Sequence, residues 1–220
     1  MEKRKIMNFL KNNKKKVAAV SIAALMLTIG CVNAFFTDSN ELINTFKPGG
    51  ISSELTEEKY DKEGEAQRIN IAPNKVMVKD PKVKNIDTLD MYTFVKVTVP
   101  TSKVATFDET SGKKIEAKKQ PLFVWETGDG WTLIKTVENN TTTDLYYAYG
   151  TSDKMTTLKP QESTSSVFKN DQIKFINIIE GQGIENTTLD FNVKDLSIQT
   201  TDLGKTAPLD ILEIILQQRG

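Results

Sequence analysis

The chain has 220 residues with 29 basic and 29 acidic side chains, no histidine and one cysteine, Cys31. Its zero formal charge hides an asymmetry. Residues 1–34 carry seven Lys/Arg against Glu2 alone, leaving 22 basic and 28 acidic side chains downstream, a net charge of −6. An acidic body argues against a nucleic-acid partner, which requires a basic patch on the folded domain. The missing histidine and the lone cysteine remove zincin, Ser-His-Asp, Cys-His and disulfide chemistry.

The N-terminus reads as an export signal. Lys3, Arg4, Lys5, Lys11, Lys14, Lys15 and Lys16 form a basic stretch, and Val17–Gly30 is an uncharged apolar run. Val32-Asn33-Ala34 then presents a cleavage site between Ala34 and Phe35. Positive charge stays inside while the apolar run inserts, so a signal helix over 1–34 predicts translocation of everything from Phe35 onward. Two alternatives use the same residues: an uncleaved membrane anchor through 17–36, and a lipid on Cys31 after Ile29-Gly30. Asn33 interrupts the first, and Thr28 stands where the second wants leucine.

Downstream, the charged stretch Ser52–Gln67 predicts a loop or a short helix. Met91–Val99 alternates Val95, Val97 and Val99 with Phe94, Lys96 and Thr98, which predicts a strand closed by Pro100. Leu122–Glu126 and Trp131–Val137 flank Thr127-Gly128-Asp129-Gly130, a hairpin pattern. Leu145, Tyr147 and Tyr149 alternate before Gly150, and Gln172–Ile179 is a further strand. In the last strand Leu189, Phe191 and Val193 share a face, and the switch to Leu196 and Ile198 beyond Asp195 predicts a β-bulge. Pro208, Ile211, Leu212 and Ile215 follow helical spacing, so a short C-terminal helix near 208–217 is expected to cover a sheet face or edge.

The fold expected is therefore mainly β, a jelly-roll-like two-sheet β-sandwich with a short C-terminal helix, preceded by the signal helix. The layout is 1–34 signal, 35–50 mature N-terminal segment, and 51–220 β-sandwich domain. Trp125, Trp131, Tyr146, Tyr147 and Tyr149 suit cross-strand core packing better than a carbohydrate site. Asp38, Asp80, Asp87 and Asp90 are the carboxylates a metal could use, though Asp in turns is ordinarily solvated or capping. The sequons at Asn139 and Asn186 read as loop composition. No residue is assigned to catalysis, to a metal or to a cofactor.

Several landmarks fall in a familiar order. Ala34-Phe35-Phe36-Thr37-Asp38 is followed by Asn44-Thr45-Phe46 and Gly49-Gly50-Ile51. This resembles the junction of the TasA/camelysin (CalY) family of exported proteins cut by a SipW-type signal peptidase, which often read A-(Y/F)-F-T-D and then N-T-F-x-x-G. Asp80–Asn85, Phe94–Pro100, Trp125 with Asp129-Gly130-Trp131, Leu145–Tyr149, Leu158–Thr164 with Phe168, and Ile198–Thr200 are similar to later blocks of the family in order. Lys47-Pro48-Gly49 departs from the usual Thr-Ala-Gly, and Pro48 lacks the amide a strand would donate.

The resemblance implies a jelly-roll subunit, secreted to the cell surface or biofilm matrix, that polymerises into extracellular fibres. Its partners would be other copies of itself, the SipW-type peptidase and, as a further candidate, a fibre adaptor. Fibre growth in the family adds the freed N-terminal segment of one subunit to its neighbour's sheet, through backbone pairing plus pockets for alternate side chains. Here that segment is Phe35, Phe36, Thr37, Asp38 and onward to Leu42, Ile43, Asn44, Thr45 and Phe46, with Phe36 and Phe46 as end anchors. The same segment could instead be the first strand of its own domain. Two other functions stand beside this one: a camelysin-like surface metallopeptidase, for which no H-E-x-x-H is present, and a monomeric adhesin or accessory protein.

Overall fold

A computed structural model describes residues 51–219, apart from Arg68 and Asn186. The signal segment, the Ala34–Phe35 junction and the candidate strand 35–46 lie outside the described residues. The described chain is mainly β with one helix. Its strands are β1 (Ser53–Thr56), β2 (Val76–Val78), β3 (Lys82–Asn85), β4 (Met91–Phe107), β5 (Lys114–Pro121), β6 (Phe123–Val124), β7 (Trp131–Glu138), β8 (Thr142–Tyr149), β9 (Gln172–Phe175) and β10 (Asn192–Gln199), and its helix is α1 (Pro208–Arg219).

All pairings are antiparallel. A large sheet runs β10-β4-β8-β7, with β5 on the far half of β4; a small sheet runs β2-β9-β6; β1 pairs with β3. Val95, Val97, Val99 and Tyr147 of the large sheet meet Met77, Phe123, Ile173 and Phe175 of the small one in a single apolar cluster. The opposite face of the large sheet contributes Phe94, Tyr146, Ala148, Leu196 and Ile198 to a second cluster, closed by Ile211, Leu212 and Ile215 of α1. The helix therefore covers a sheet face. Burying its three aliphatic side chains removes them from water at roughly 1.5–3 kcal/mol each, against the entropy of ordering the segment.

Three local expectations are corrected. Pro100 does not close its strand: β4 runs 17 residues, from Met91 to Phe107. Proline is tolerated because it falls at a change of partners. It is the last residue paired with β8, opposite Thr142, while its carbonyl accepts the Leu122 N–H at 2.9 Å as β5 takes over. Leu122–Glu126 and Trp131–Val137 do not form a hairpin. β6 joins β9 in the small sheet and β7 joins β8 in the large one, so the Gly128 corner carries the chain from one sheet to the other. Gly128 permits this because its N–H donates to Val167 O at 2.7 Å, and a Cβ there would lie 2.0 Å from Ser166 O.

The third correction concerns Asp195. β10 pairs with β4 in unbroken register from Asn192↔Thr98 to Gln199↔Met91, with no bulge. The apolar parity changes because the strand serves two cores: Phe191 and Val193 pack on the inter-sheet cluster, Leu196 and Ile198 on the helix cluster. Register shifts occur instead between Leu133 and Lys135 of β7 and between Val104 and Thr106 of β4. Ser52–Gln67, expected as loop or short helix, holds β1, a π-helical turn at Tyr60–Gly64 and a 3-10 turn at Glu65–Gln67.

Candidate functional site

The two sheets do not meet along their whole length. Between β2, an edge strand of the small sheet, and the start of β10, an edge strand of the large one, lies a cleft of about 1030 Å³. Its apolar lining comes from alternation: Met77, Ile173, Phe175 and Phe123 of the small sheet point inward, and Ile178, Leu189 and Phe191 complete the wall. Phe123 packs its ring on its strand partner Phe175 at 5.3 Å and edge-on against Phe191 at 5.5 Å, so an aromatic contact ties the small sheet to the segment entering β10.

Two segments form the rest of the rim. One is the strap Tyr60–Pro73, which contributes Tyr60, Gly64 and Ile69–Pro73. The other is Glu180–Asn192, where the Glu185 carboxylate gathers the N–H groups of Gly181, Gln182 and Gly183. The hydrogen bond from Glu185's own backbone N–H, together with those from Gly181, Gln182 and Gly183, outweighs desolvation and holds the Glu185 carboxyl below its ordinary value.

The strap is tied by charges. Asp80, fully buried, accepts the backbone N–H groups of Lys59 and Tyr60. Lys79 pairs with Glu57 and lies 4.0 Å over the Tyr60 ring, while Lys59 pairs with Asp171. Burial pushes the Glu57 carboxyl up despite its hydrogen bond from Lys79, and its Oε1 has no partner. Further along, Gln67 Oε1 accepts the Val78 N–H at 2.9 Å on the edge of β2.

The remaining sequence candidates are placed as follows. Asp87 accepts from Ser52 and Thr88, and the Asp90 carbonyl accepts the Thr200 N–H. Among the described residues no three Asp, Glu, His or Cys side chains converge as metal ligands. Trp131 and Tyr147 are buried in the inter-sheet cluster, Tyr146 in the helix cluster, and Trp125 and Tyr149 are partly buried against the former. Among the described residues no helix is long and apolar enough to cross a membrane. All assembly residues named in the sequence, Phe35 to Phe46, and Asp38 with them, lie outside the described residues.

The cleft itself was not named from the sequence. Its signal was present in part: Leu189, Phe191, Ile173 and Phe175 alternate correctly, but nothing in alternation says that two edges remain apart. Comparison with known proteins finds no family model, no curated protein and no solved structure that matches the chain.

Proposed function

We propose that this chain is an exported structural subunit of an extracellular fibre or biofilm matrix, built on a jelly-roll-like two-sheet sandwich. In this reading signal cleavage frees Phe35, and residues 35–46 of one copy add as a strand to the cleft of the next. The observation that carries the reading is the cleft: a groove with an apolar wall and a polar rim between two edge strands, whose outer sides pair with no further strand among the described residues. The segment suits it. Phe36, Leu42 and Phe46 supply large apolar side chains, and the stretch holds no proline and no glycine that would break pairing.

Negative-stain microscopy of protein beginning at Phe35, beside the same protein extended by a few blocking residues, tests the proposal. Filaments from the first alone support strand donation triggered by cleavage. Monodisperse monomers from both count against it and favour a monomeric surface or accessory role. Deleting 35–46 separates the remaining alternative: a folded monomer that no longer polymerises supports donation, and an unfolded chain supports self-pairing.

A further inference from the structure

We infer that the edge receiving the added strand is that of β2, not β10, and that Gln67 is a displaceable cap on it. The inference rests on the acceptor reading of the cleft and assigns the edge that reading leaves open. Three observations converge on β2.

The first is the backbone accounting. Lys79 N–H donates to Asp171 O and Phe175 N–H donates to Lys75 O, so residues 75 and 79 turn toward β9. The Val78 N–H turns the other way, to the free side of β2, and meets the Gln67 side-chain oxygen. A glutamine amide is chemically a peptide group. Its bond to Val78 imitates one rung of the ladder that a neighbouring strand would make, so a strand carbonyl can replace it rung for rung.

The second is charge. The segment Phe35–Phe46 carries Asp38 and Glu41 and no basic side chain. Lys75 and Lys79 flank β2, whereas the opposite rim presents Glu180, Glu185 and Asp190. Lys79 is already paired with Glu57, so an acidic strand laid on the β2 side meets the charge of Lys75; on the β10 side it meets its own sign. Farther along β10, Asp195 is already bonded to Ser53 of β1.

The third is how the strap is attached. Its start is fixed by the buried Asp80 and by Tyr60, whose ring packs so closely on Gly64 that a Cβ there would lie 2.1 Å from it. Beyond this anchor Ile69 is 65% exposed, an apolar side chain left in water. Releasing the edge therefore asks only that the Gln67 side chain swing off Val78, while the root at Asp80 and the packing of Ile71 on the inter-sheet cluster stay in place. The edge is covered against casual pairing, and the cover costs one hydrogen bond to exchange.

The test uses the full chain as wild type, Gln67→Ala and Gln67→Glu, with a fluorescent synthetic peptide of sequence 35–46 as probe and amide hydrogen exchange as second readout. Without peptide, the Val78 amide exchanges faster in Gln67→Ala but not in Gln67→Glu, whose carboxylate still accepts. With peptide, Gln67→Ala associates about fivefold faster, the factor that one net hydrogen bond supplies. The amides protected are those of β2. Equal association by all three proteins overturns the cap while leaving the acceptor reading intact. Protection along β10 instead of β2 overturns the edge assignment. Absence of peptide binding to every variant sinks the acceptor reading and this inference with it.

Discussion

The Asp80 carboxylate, with none of its surface in water, accepts the Tyr60 N–H at 3.0 Å and the Lys59 N–H at 3.1 Å. One side chain thus caps the π-helical turn that roots the strap. Asp80→Ala leaves two amide donors without a partner and is expected to cost roughly 2–4 kcal/mol, while Asp80→Asn, keeping one acceptor oxygen, costs about half as much. Urea unfolding of the two variants checks the order. Equal losses would mean that the carboxylate charge, which both variants remove, matters here more than the count of acceptor oxygens.

The ion pair between Lys96 and Asp144 has a pH signature. Lys96 Nζ lies 2.8 Å from Asp144 Oδ2 on neighbouring strands, and Thr98 and Asn139 also donate to Asp144. Burial pushes the Asp144 carboxyl up, but the hydrogen bonds from Lys96 and Thr98 and the lysine charge outweigh it, so the value is lowered. A lowered carboxyl contributes stability that is complete above its ordinary value, near pH 4, and is lost as pH falls through the lowered one. Asp144→Asn should therefore melt lower than wild type at pH 7, with the gap narrowing only below about pH 4. Thermal melts of both proteins from pH 7 to pH 2.5 read this difference, and a gap constant with pH would contradict it.

Gly128 holds the corner between the sheets by having no side chain. Gly128→Ala drives a methyl against the Ser166 carbonyl, 2.0 Å away in the present geometry, and backbone must move to relieve it. A loss of roughly 1–3 kcal/mol is expected. Chemical denaturation measures it, and a variant as stable as wild type would show that the corner is slack.

The helix is a lid on apolar sheet surface. Leu212, fully buried, packs in the cluster with Phe94, Leu196 and Ile198. Leu212→Ala should cost about 2–5 kcal/mol. Ending the chain before Pro208 should uncover the Phe94–Leu196 face, read as binding of an apolar dye and loss of solubility. A soluble, dye-silent truncation would remove the helix from the core.

Strand identity was legible wherever one face is buried and the other wet. Val95, Val97 and Val99 alternate because Lys96 and Thr98 face the polar Asp144 side of the large sheet. The α1 stripe of Ile211, Leu212 and Ile215 was legible because a helix buries one side only. Pairing partners were less so. The Gly128 turn looked like a hairpin because a corner between sheets and a turn within one use the same residues. At Leu196 a shift of core, not of register, changed the pattern, and only the second layer reveals it. The cleft was invisible for a related reason: it is defined by which edges stay unpaired, and Gln67, a polar residue in a charged stretch, bears no mark of the amide it covers.

The long strand β4 has a consequence for how the chain comes into being. Its two partners along Met91–Pro100 are β8 and β10, and β10 is not reached until residues 192–199. Contacts between such distant positions put the fold among slow folders, with closure in milliseconds to seconds even for a finished chain. During synthesis at about 5–20 residues per second, β4 waits roughly 5–20 s for its outer partner. For that interval the central strand has an open flank, and a chain in that condition can still be threaded through a narrow passage or captured by a holding chaperone. The topology thus sets a timetable: the polypeptide stays pliable until residues 192–199 are made, and then closes around a strand laid down long before them.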